Sequence, residues 1–347
     1  MKRMTRWFED VKNDPSNIVS SRVRLSRNWE EYKFPSRLED NEARYMVGRM
    51  MQELRDIQGK DGRRYEFRAL DKMEELDRVA LRERRLLNKT LVEKKTPGSI
   101  ICSDDEAVSL VLNGDDHIRL QILAPGLELK SCYDEADKLD DYLNAKFPYA
   151  FSSKYGYLTA YPTNVGTGMK ASVVVHLPSL STSKRFQDLL GDMSRFGTTV
   201  RGVYGRGTEN YGDLYEIYNQ KTLGMNEQEI IELVSSVAVQ LSQQEREIRE
   251  ASLSKHRLLR EDEVYKSYGV LKYARKLSMK EAMTFLSHLR AGIADGLVET
   301  KEFAGIYNLM IGIQPANLQK YSRQPLGKDE LEVARGRYLR EHLPELK

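Results

Sequence analysis

The sequence predicts an α+β fold, with a mainly antiparallel sheet flanked by helices and a helical C-terminal domain. Three observations predict this architecture. Short apolar and β-branched runs recur between residues 99 and 218, several are spaced like hairpins, and only helical patterns follow Asn226. Hairpin spacing favours antiparallel strands, because parallel strands need long crossover connections.

The predicted strands are short, and one pair forms a clear hairpin. Asn113-Gly114 separates two of the runs, and this dipeptide adopts the positive φ angles that a tight turn requires. Helical spacing of apolar residues predicts three helices in the same part of the chain, over 40–57, 133–144 and 183–195. The strands are predicted at 99–103, 107–112, 117–123, 157–161, 172–177, 198–204 and 214–218.

The C-terminal part has the pattern of a separate helical unit. Asn226 with Glu229, and Ser278 with Glu281, have the spacing of helix capping pairs. A run rich in Glu, Arg and Gln over 243–250 follows the first apolar stripe. We therefore predict a boundary near residues 252–260, which divides the chain into a domain over 1–253 and a helical domain over 254–347. Leftover apolar surface on such an end domain favours dimerisation.

Composition excludes several classes of protein. The 347 residues carry 55 basic and 52 acidic side chains, a net charge of +3, which argues against a general polyanion binder and direct nucleic-acid binding. Two cysteines make no disulfide framework and favour a reducing compartment. With no apolar leader or membrane-length apolar stretch, we expect a cytoplasmic protein without membrane contact. No His/Cys cluster has metal-ligand spacing, so no protein-held metal is expected.

Arginines and acids stand at two candidate motifs. In SSRVRLSRN, Arg22 and Arg24 lie two residues apart, so an extended segment directs both to one side, where they could grip a polyanion. In NGDDHIR, the turn exposes Asp115 just before a strand that carries Arg119. Taken alone, each motif is more simply a solvated basic strand or a plain surface hairpin.

Two glycine-containing loops add to this pattern. PTNVGTGMKASV places Lys170 directly after a glycine-rich loop, at the start of a β-branched strand. Such a loop lets backbone N–H groups approach a phosphate, although it lacks the spacing of a Walker A loop or a dinucleotide-binding fingerprint. The second loop, over 200–209, carries Arg201, Arg206 and Glu209 around three glycines.

In this order and spacing, the four segments resemble the phosphagen kinase family, the ATP:guanidino phosphotransferases. The nearer likeness is to the bacterial branch that phosphorylates arginine residues in proteins. It spans roughly residues 17–244 and rests on SSRVRLSRN and PTNVGTGMKASV. It implies a phosphagen-kinase catalytic domain over 1–253, with the helical domain dimerising.

The resemblance implies an ATP site made of arginines, with Mg²⁺ held mainly by the nucleotide phosphates. Phosphoryl transfer needs mostly positioning and charge neutralisation, which planar guanidinium groups supply. The residues carried over to this site are Arg22, Arg24, Arg119, Lys170, Ala171, Ser172 and Arg201.

On the acceptor side, the sequence departs from the family pattern. The family orients its guanidinium substrate with two glutamates beside a cysteine; here Asp115, Arg206 and Tyr161 stand at those positions. A carboxylate shortened by one methylene shifts a catalytic contact by about 1 Å, which can lower a rate on the order of a hundredfold. Arg206 would repel a cationic acceptor, although Glu209 could supply the missing carboxylate.

Two functions of different classes therefore stay open, and a third possibility is retargeting to a less basic or neutral acceptor, which Arg206 would favour. One is an ATP-dependent kinase acting on exposed arginines of proteins with a weakened catalytic set, in which Asp115, Arg206 and Glu209 are the catalytic candidates. The other is a pseudokinase, a nucleotide- or partner-binding regulatory homologue in the stress response. The resemblance also implies a homodimer and three partners: a zinc-binding activator protein, a stress-response repressor and a protein unfoldase.

Two further points follow from the same resemblance. Arg85 stands where the bacterial branch has a histidine before the sheet. The bacterial branch also has a C-terminal phosphoarginine-binding motif, and this sequence has no clean match to it. Arg335, Arg337 and Arg340 are more simply a solvated helix face. For His117 and His176, a structural role is expected.

Overall fold

The computed structural model describes residues 5–59, 61–184, 186–205, 210–301 and 305–347. An extended sheet runs through the first 219 residues. The strands are β1 Ile18–Arg27, β2 Tyr65–Ala69, β3 Ser99–Ser103, β4 Val108–Leu112, β5 Ile118–Pro125, β6 Phe151–Ser152, β7 Gly156–Tyr157, β8 Met169–His176, β9 Thr198–Gly202 and β10 Leu214–Asn219.

Helices separate the strands and then fill the C-terminal part. The α-helices are α1 Asp40–Glu53, α2 Glu75–Glu83, α3 Lys89–Glu93, α4 Leu129–Lys146, α5 Phe186–Arg195, α6 Glu227–Tyr273, α7 Met279–Ala294, α8 Ile306–Gly312, α9 Pro315–Ser322 and α10 Lys328–His342.

Eight strands form one sheet in the order β2-β3-β4-β5-β1-β8-β10-β9. Every pairing between neighbouring strands is antiparallel. The predicted α+β class with a mainly antiparallel sheet is therefore confirmed. The strand β1 lies at the centre, which places its arginines in the middle of the sheet.

The two faces of the sheet are covered by different helices. On one face, buried apolar residues of α1, α4, α5 and the first half of α6 pack against Val23, Leu25 and Val173. On the other face, Val174 and Leu123 pack with residues of the N-terminal segment and of α7, α8 and α10. The helical C-terminal part thus shares a core with the sheet and partly covers its second face.

The long helix α6 runs across the predicted domain boundary. It is helical from Glu227 to Tyr273 apart from a kink at His256, where φ is −137° and ψ is 35°. Both predicted capping boxes are confirmed. The Asn226 side chain accepts from the Glu229 N–H at 2.9 Å, and Ser278 Oγ accepts from the Glu281 N–H at 3.2 Å.

Most predicted elements in the sheet are confirmed, with one exception. The turn at Asn113 is a hairpin, with φ of +56° at Asn113 and its N–H donating to the His117 carbonyl at 2.8 Å. The strand predicted over 157–161 is wrong beyond Tyr157, because the chain turns into a short 3₁₀ helix, Pro162–Asn164, whose first residue is a proline. In the described part of the chain, no helix combines the length and apolarity needed to cross a membrane.

Candidate active site

Strand register brings the sequence-predicted arginines together. Arg24 on β1 lies opposite Lys170 on β8, and Ser26 lies opposite Arg119 on β5. On the other side of β8, Arg201 on β9 lies opposite Glu216 on β10. Because side chains alternate along a strand, Arg22, Arg24 and Arg119 emerge on the same face, the one that the C-terminal helices partly cover.

A cavity of about 690 Å³ opens over this face. It lies between the sheet, α2 and the start of α9, and part of its wall is apolar. The sequence-predicted Arg22, Arg24, Arg119 and Arg201 all line it, together with two arginines and two acids that the motifs did not single out for this site. These additional charged residues are Arg82, Arg85, Glu83 and Glu216.

Glu216 is the electrostatic centre of the cavity. Its carboxylate accepts from Arg22 Nη2 at 2.6 Å, from Arg201 Nη2 at 2.8 Å, and from Arg85. Ser172 Oγ donates to it at 3.1 Å. Burial opposes ionisation of Glu216, but the three guanidinium groups outweigh burial and hold its pKa well below the usual range. The residue is 4% exposed and ionised.

Arg24 and Arg119 have no carboxylate partner among the described residues. Arg119 donates from Nη2 to the Leu86 carbonyl at 2.9 Å, while its buried Nε has no hydrogen-bond partner. Burial lowers the pKa of Arg119 to about 10; burial and the nearby Arg119 charge lower the pKa of Arg24 to about 10. Both remain charged at neutral pH; Asp115 favours the charge of both, but neither forms a salt bridge with a carboxylate of the described residues.

Arg85 reaches the cavity from an unusual backbone conformation. Its φ is +71°, in the left-handed region, directly after α2 ends. The side chain is bound to Ser20 Oγ at 3.2 Å and to Glu216. Burial disfavours its charge, but Glu216 outweighs burial and raises its pKa. The family resemblance matches this position to a histidine of the bacterial branch, and no sequence feature indicated the contact between Arg85 and Glu216.

Glu83 connects the cavity wall to the C-terminal helices. Its carboxylate accepts the Ala316 and Asn317 N–H groups, both at 2.9 Å, and so caps the N-terminus of α9. Burial outweighs these bonds and raises the pKa of Glu83 to about 7. Arg84 Nη1 donates to the Asn317 side chain at 2.9 Å, which strengthens the same junction.

A smaller cavity of about 190 Å³ adjoins the first. The two share Arg24, Asn88 and Arg119, while Asp115 and Tyr161 line only the smaller one. Asn88 caps α3 through its Oδ1 and donates from Nδ2 to Asp115 Oδ2 at 3.3 Å. The sequence-predicted acid at the turn and the arginines of the sheet therefore face a common space.

The neighbouring acid, Asp116, serves the fold. Its Oδ1 accepts from Asn28 Nδ2 at 2.7 Å and from the Ala160 N–H at 2.6 Å, and it is 2% exposed. Burial raises its pKa. His117 is structural, as expected: Nδ1 accepts the Trp29 N–H at 3.1 Å, so Nε2 carries the proton that it donates to the Lys33 carbonyl at 2.9 Å.

The segment 170–172 is divided between the two faces of the sheet. Lys170 Nζ donates to the carbonyls of Asn219 and Gln220 at 3.1 and 3.0 Å, and it lines neither cavity. Ala171 is buried in the opposite core. Ser172 faces the site, where it accepts from Arg22 Nε at 3.2 Å. Burial and the Arg24 charge lower the pKa of Lys170 to about 8.

The glycines of the adjoining loop serve packing. Gly166 has a φ of +111°, and a Cβ there would lie 2.2 Å from the Thr222 carbonyl oxygen. The Thr167 N–H donates to that same carbonyl at 3.0 Å. The prediction that this loop frees backbone N–H groups for phosphate is wrong for Gly166 and Thr167, because both N–H groups are bound to carbonyls of the protein.

Three remaining predictions have different outcomes. Arg206 and Glu209 lie outside the described residues. The solvated helix face expected at the C-terminus is wrong for Arg335, which is 3% exposed and donates to the Leu277 carbonyl at 2.8 Å. It is right for Arg337, which is exposed and pairs with Glu341 at 2.8 Å.

Comparisons with known proteins agree along nearly the whole chain. Residues 46–248 match the family described as "ATP:guanido phosphotransferase, C-terminal catalytic domain", and residues 259–347 match "Protein-arginine kinase McsB C-terminal domain". A protein-arginine kinase of Halothermothrix orenii is 36% identical over 343 residues, covering 99% of this chain and 97% of that protein. One from Shouchella clausii is 38% identical over 338 residues, covering 97% and 94%.

A solved structure supports the fold. Lombricine kinase superimposes with a TM-score of 0.60 at 21% identity, over 72% of this chain and 73% of that chain. The family match over more than half of the chain places it in the ATP:guanidino phosphotransferase class. Within that class, this chain belongs to the protein-arginine kinase family.

Proposed function

We propose that this chain transfers the γ-phosphoryl group of ATP to arginine side chains of proteins, with a weakened acceptor side. The observation that carries this proposal is the pair of adjoining cavities, one rich in arginine and one containing Asp115, which share Arg24, Asn88 and Arg119. A phosphoryl group must pass between two substrates held in contact, and the shared residues mark the place where they meet.

On the donor side, Arg24 and Arg119 are the cations best placed to bind phosphate. Neither is neutralised by a carboxylate among the described residues, and both keep their charge within a buried wall. Charge-assisted bonds from such groups stabilise the charge on the transferred phosphoryl group. Arg22 and Arg201 complete the predicted set. Lys170, which lies opposite Arg24 on β8, contributes charge from outside the two cavities.

The site fits Mg²⁺ that arrives with the nucleotide. Of the acids lining the larger cavity, Glu83 accepts N–H groups of α9 and Glu216 accepts from three arginines. No group of three or more His, Cys, Asp or Glu side chains that could hold a metal ion occurs in the described ranges. We therefore propose that the phosphates hold the ion, which supplies charge neutralisation at the transferred group.

On the acceptor side, Asp115 is proposed to orient the incoming guanidinium group. Its carboxylate is held by the Asn88 amide, which leaves the other oxygen able to accept from a substrate N–H. Tyr161, whose side chain is 51% exposed, stands at the mouth of this cavity. Arg206 and Glu209, the other two catalytic candidates, are proposed to complete this side.

The decisive experiment is a phosphorylation assay. The purified protein is incubated with Mg-ATP and a basic protein, and acid-labile phosphoarginine is measured by mass spectrometry at neutral pH. We expect phosphoarginine to form and to disappear when arginines of the substrate are replaced by lysine. A folded protein that binds ATP but forms no phosphoarginine would contradict the proposal.

One observation favours a second function, that of a nucleotide-binding pseudokinase. Of the two acids that line the smaller cavity, Asp116 is bound within the fold, which leaves a single acceptor carboxylate among the described residues. The variant Asp115→Glu combined with Tyr161→Cys and Arg206→Glu separates the two functions. Activity gained by this variant supports the pseudokinase, whereas a variant that binds nucleotide and stays inactive excludes simple decay of the acceptor site.

The remaining assignments are proposals of the same kind. We propose two units, residues 1–253 and 254–347, supported by the kink at His256 and by family matches that end at 248 and resume at 259. A cytoplasmic homodimer acting in the stress response with a zinc-binding activator, a repressor and an unfoldase is proposed from the family alone. Co-purification of the partners with the full chain tests this.

A further inference from the structure

Glu216 occupies a position where an anion binds several arginines at once. Its two oxygens accept from Arg22, Arg85 and Arg201, with Ser172 as a fourth donor. Arg201 donates to the same oxygen from Nε at 3.2 Å and from Nη2 at 2.8 Å. This is the set of charge-assisted donors that phosphate oxygens also engage.

The Glu216 carboxylate also contacts the edge of Arg22 and of Arg201 that carries Nε and Nη2. Arg22 uses Nε on Ser172 and Nη2 on Glu216, and Arg201 uses both Nε and Nη2 on Glu216. A guanidinium group binds an anion best through two parallel N–H bonds from one edge. A phosphate that binds either arginine through this edge must therefore displace Glu216 or share the guanidinium group with it.

Two other arginines of the same cavity, Arg24 and Arg119, are not bound to a carboxylate of the described residues. The buried Nε of Arg119 has no hydrogen-bond partner, and the side chain of Arg24 makes no hydrogen bond among the described residues. The cavity thus holds one pair of arginines without a carboxylate partner among the described residues, and a second pair, Arg22 and Arg201, that shares the single negative charge of Glu216 with Arg85. Since the nearest acid to the second pair is Glu216, that residue controls how much positive charge a ligand meets.

We propose that Glu216 acts as an internal anion that competes with the nucleotide phosphates for Arg22 and Arg201, and so sets the affinity of the cavity for polyphosphate. The inference rests on the proposed binding of ATP to this cavity. In this cavity, which six arginines line, a ligand must then carry enough negative charge to compete with a carboxylate that three guanidinium groups stabilise.

The test is a calorimetric titration of the full-length protein with inorganic triphosphate and with Mg-ATP. Glu216→Gln removes the charge and keeps the side-chain size, and we expect its dissociation constant for triphosphate to fall at least about tenfold. Glu216→Asp keeps the charge and should bind within about threefold of the wild type. Asp295→Asn is the matched control, because it removes a buried carboxylate bound to Arg249 at 2.9 Å outside both cavities.

Each outcome decides between the inference and the proposed function. If the wild type binds Mg-ATP and Glu216→Gln binds triphosphate no more tightly, the competition is overturned and the nucleotide site stands. If only Glu216→Gln binds, the competition stands and nucleotide binding by the wild type is excluded. Affinity raised equally in Glu216→Asp or in Asp295→Asn would overturn the inference, since the cause would be loosened packing. If no folded variant binds either ligand, both proposals fail.

A structural measurement covers the case in which Glu216→Gln does not fold. In a crystal structure of the wild type with inorganic triphosphate, Arg22 Nη2 and Arg201 Nη2 should contact phosphate oxygens and lie beyond salt-bridge distance from Glu216. A triphosphate bound in the cavity while both contacts to Glu216 persist would overturn the proposal.

Discussion

Arg201 and Glu216 face each other across β9 and β10, and two nitrogens of the arginine, Nε at 3.2 Å and Nη2 at 2.8 Å, bind one carboxylate oxygen. The two partners differ in environment: the arginine side chain is 61% exposed and the glutamate side chain 6%. A buried acid therefore holds a solvent-facing cation at the rim of the larger cavity. Deleting either partner has unequal consequences, because only the glutamate also serves Arg22 and Arg85.

Replacing Arg24 should test the donor side with little cost to folding. The side chain of Arg24 makes no hydrogen bond among the described residues, so Arg24→Gln should leave the melting temperature nearly unchanged. It should weaken Mg-ATP binding by roughly tenfold or more, about 1.4 kcal/mol, because a charge-assisted contact to phosphate is lost. Isothermal titration measures the affinity. Arg55→Gln, an exposed arginine that lines neither cavity, is the control; equal affinities for the two variants would contradict the assignment.

Replacing Asp115 should separate acceptor orientation from nucleotide binding. Asp115→Asn keeps the bond with Asn88 within reach but removes the charge that attracts a guanidinium group. We expect phosphoarginine formation to fall by about a hundredfold, while Mg-ATP affinity stays within about threefold. A parallel loss of ATP binding would show that Asp115 serves the donor side. Asp116→Asn, by contrast, should lower thermal stability, because it disturbs bonds to Asn28 and Ala160.

We expect Glu83 to make the free energy of unfolding fall as the pH rises. Burial raises its folded-state pKa from 4.5 to about 7, so the folded protein holds a proton that the unfolded chain has released. Stability contributed by this group is therefore present below pH 4.5, falls as pH rises to about 7 and is then constant. Urea unfolding of the wild type and of Glu83→Gln at several pH values measures this. The wild type should lose stability relative to the variant across that window; a constant difference would refute the shifted pKa.

Glycine substitutions should distinguish a packed turn from an open helix face. At Gly166, a side chain meets both a φ of +111° and the Thr222 carbonyl oxygen at 2.2 Å, so Gly166→Ala should destabilise by more than about 1–2 kcal/mol. At Gly48 in α1, no neighbouring atom lies within 4 Å of the position that a methyl group would take, so Gly48→Ala should stabilise by about 0.5–1 kcal/mol. Denaturant unfolding compares them; similar free energies would contradict the geometry.

Local sequence signals predicted much of the fold. The Asn113-Gly114 turn, the capping pairs at Asn226 and Ser278, and the apolar stripe of α6 are each decided within a few residues, so they are readable directly. The strand predicted over 157–161 failed beyond Tyr157, because the proline that follows favoured a 3₁₀ turn over pairing. The strand β2 and the short helices α2 and α3 were missed; the two helices span only nine and five residues, which is less than the window over which helical periodicity can be recognised.

The candidate site divides in the same way. The alternation of Arg22 and Arg24 along one strand was enough to direct both to one face, and Asp115 follows from its turn. Glu216 carried only a weak signal, an acid inside an otherwise apolar and aromatic strand. Its three partners come from β1, β9 and the end of α2, which lie up to 194 residues away in sequence.

The sequence by itself therefore determined most of the strands, the caps and the arginines that identify the family, because these depend on short-range backbone preferences and side-chain type. Only the tertiary structure decided which arginines share the charge of a carboxylate and which have no carboxylate partner. That outcome depends on strand order and on burial, which bring Glu216 against Arg22, Arg85 and Arg201 but leave Arg24 and Arg119 without a carboxylate among the described residues. Charge compensation between distant segments is a property of the packed sheet, and no local pattern encodes it.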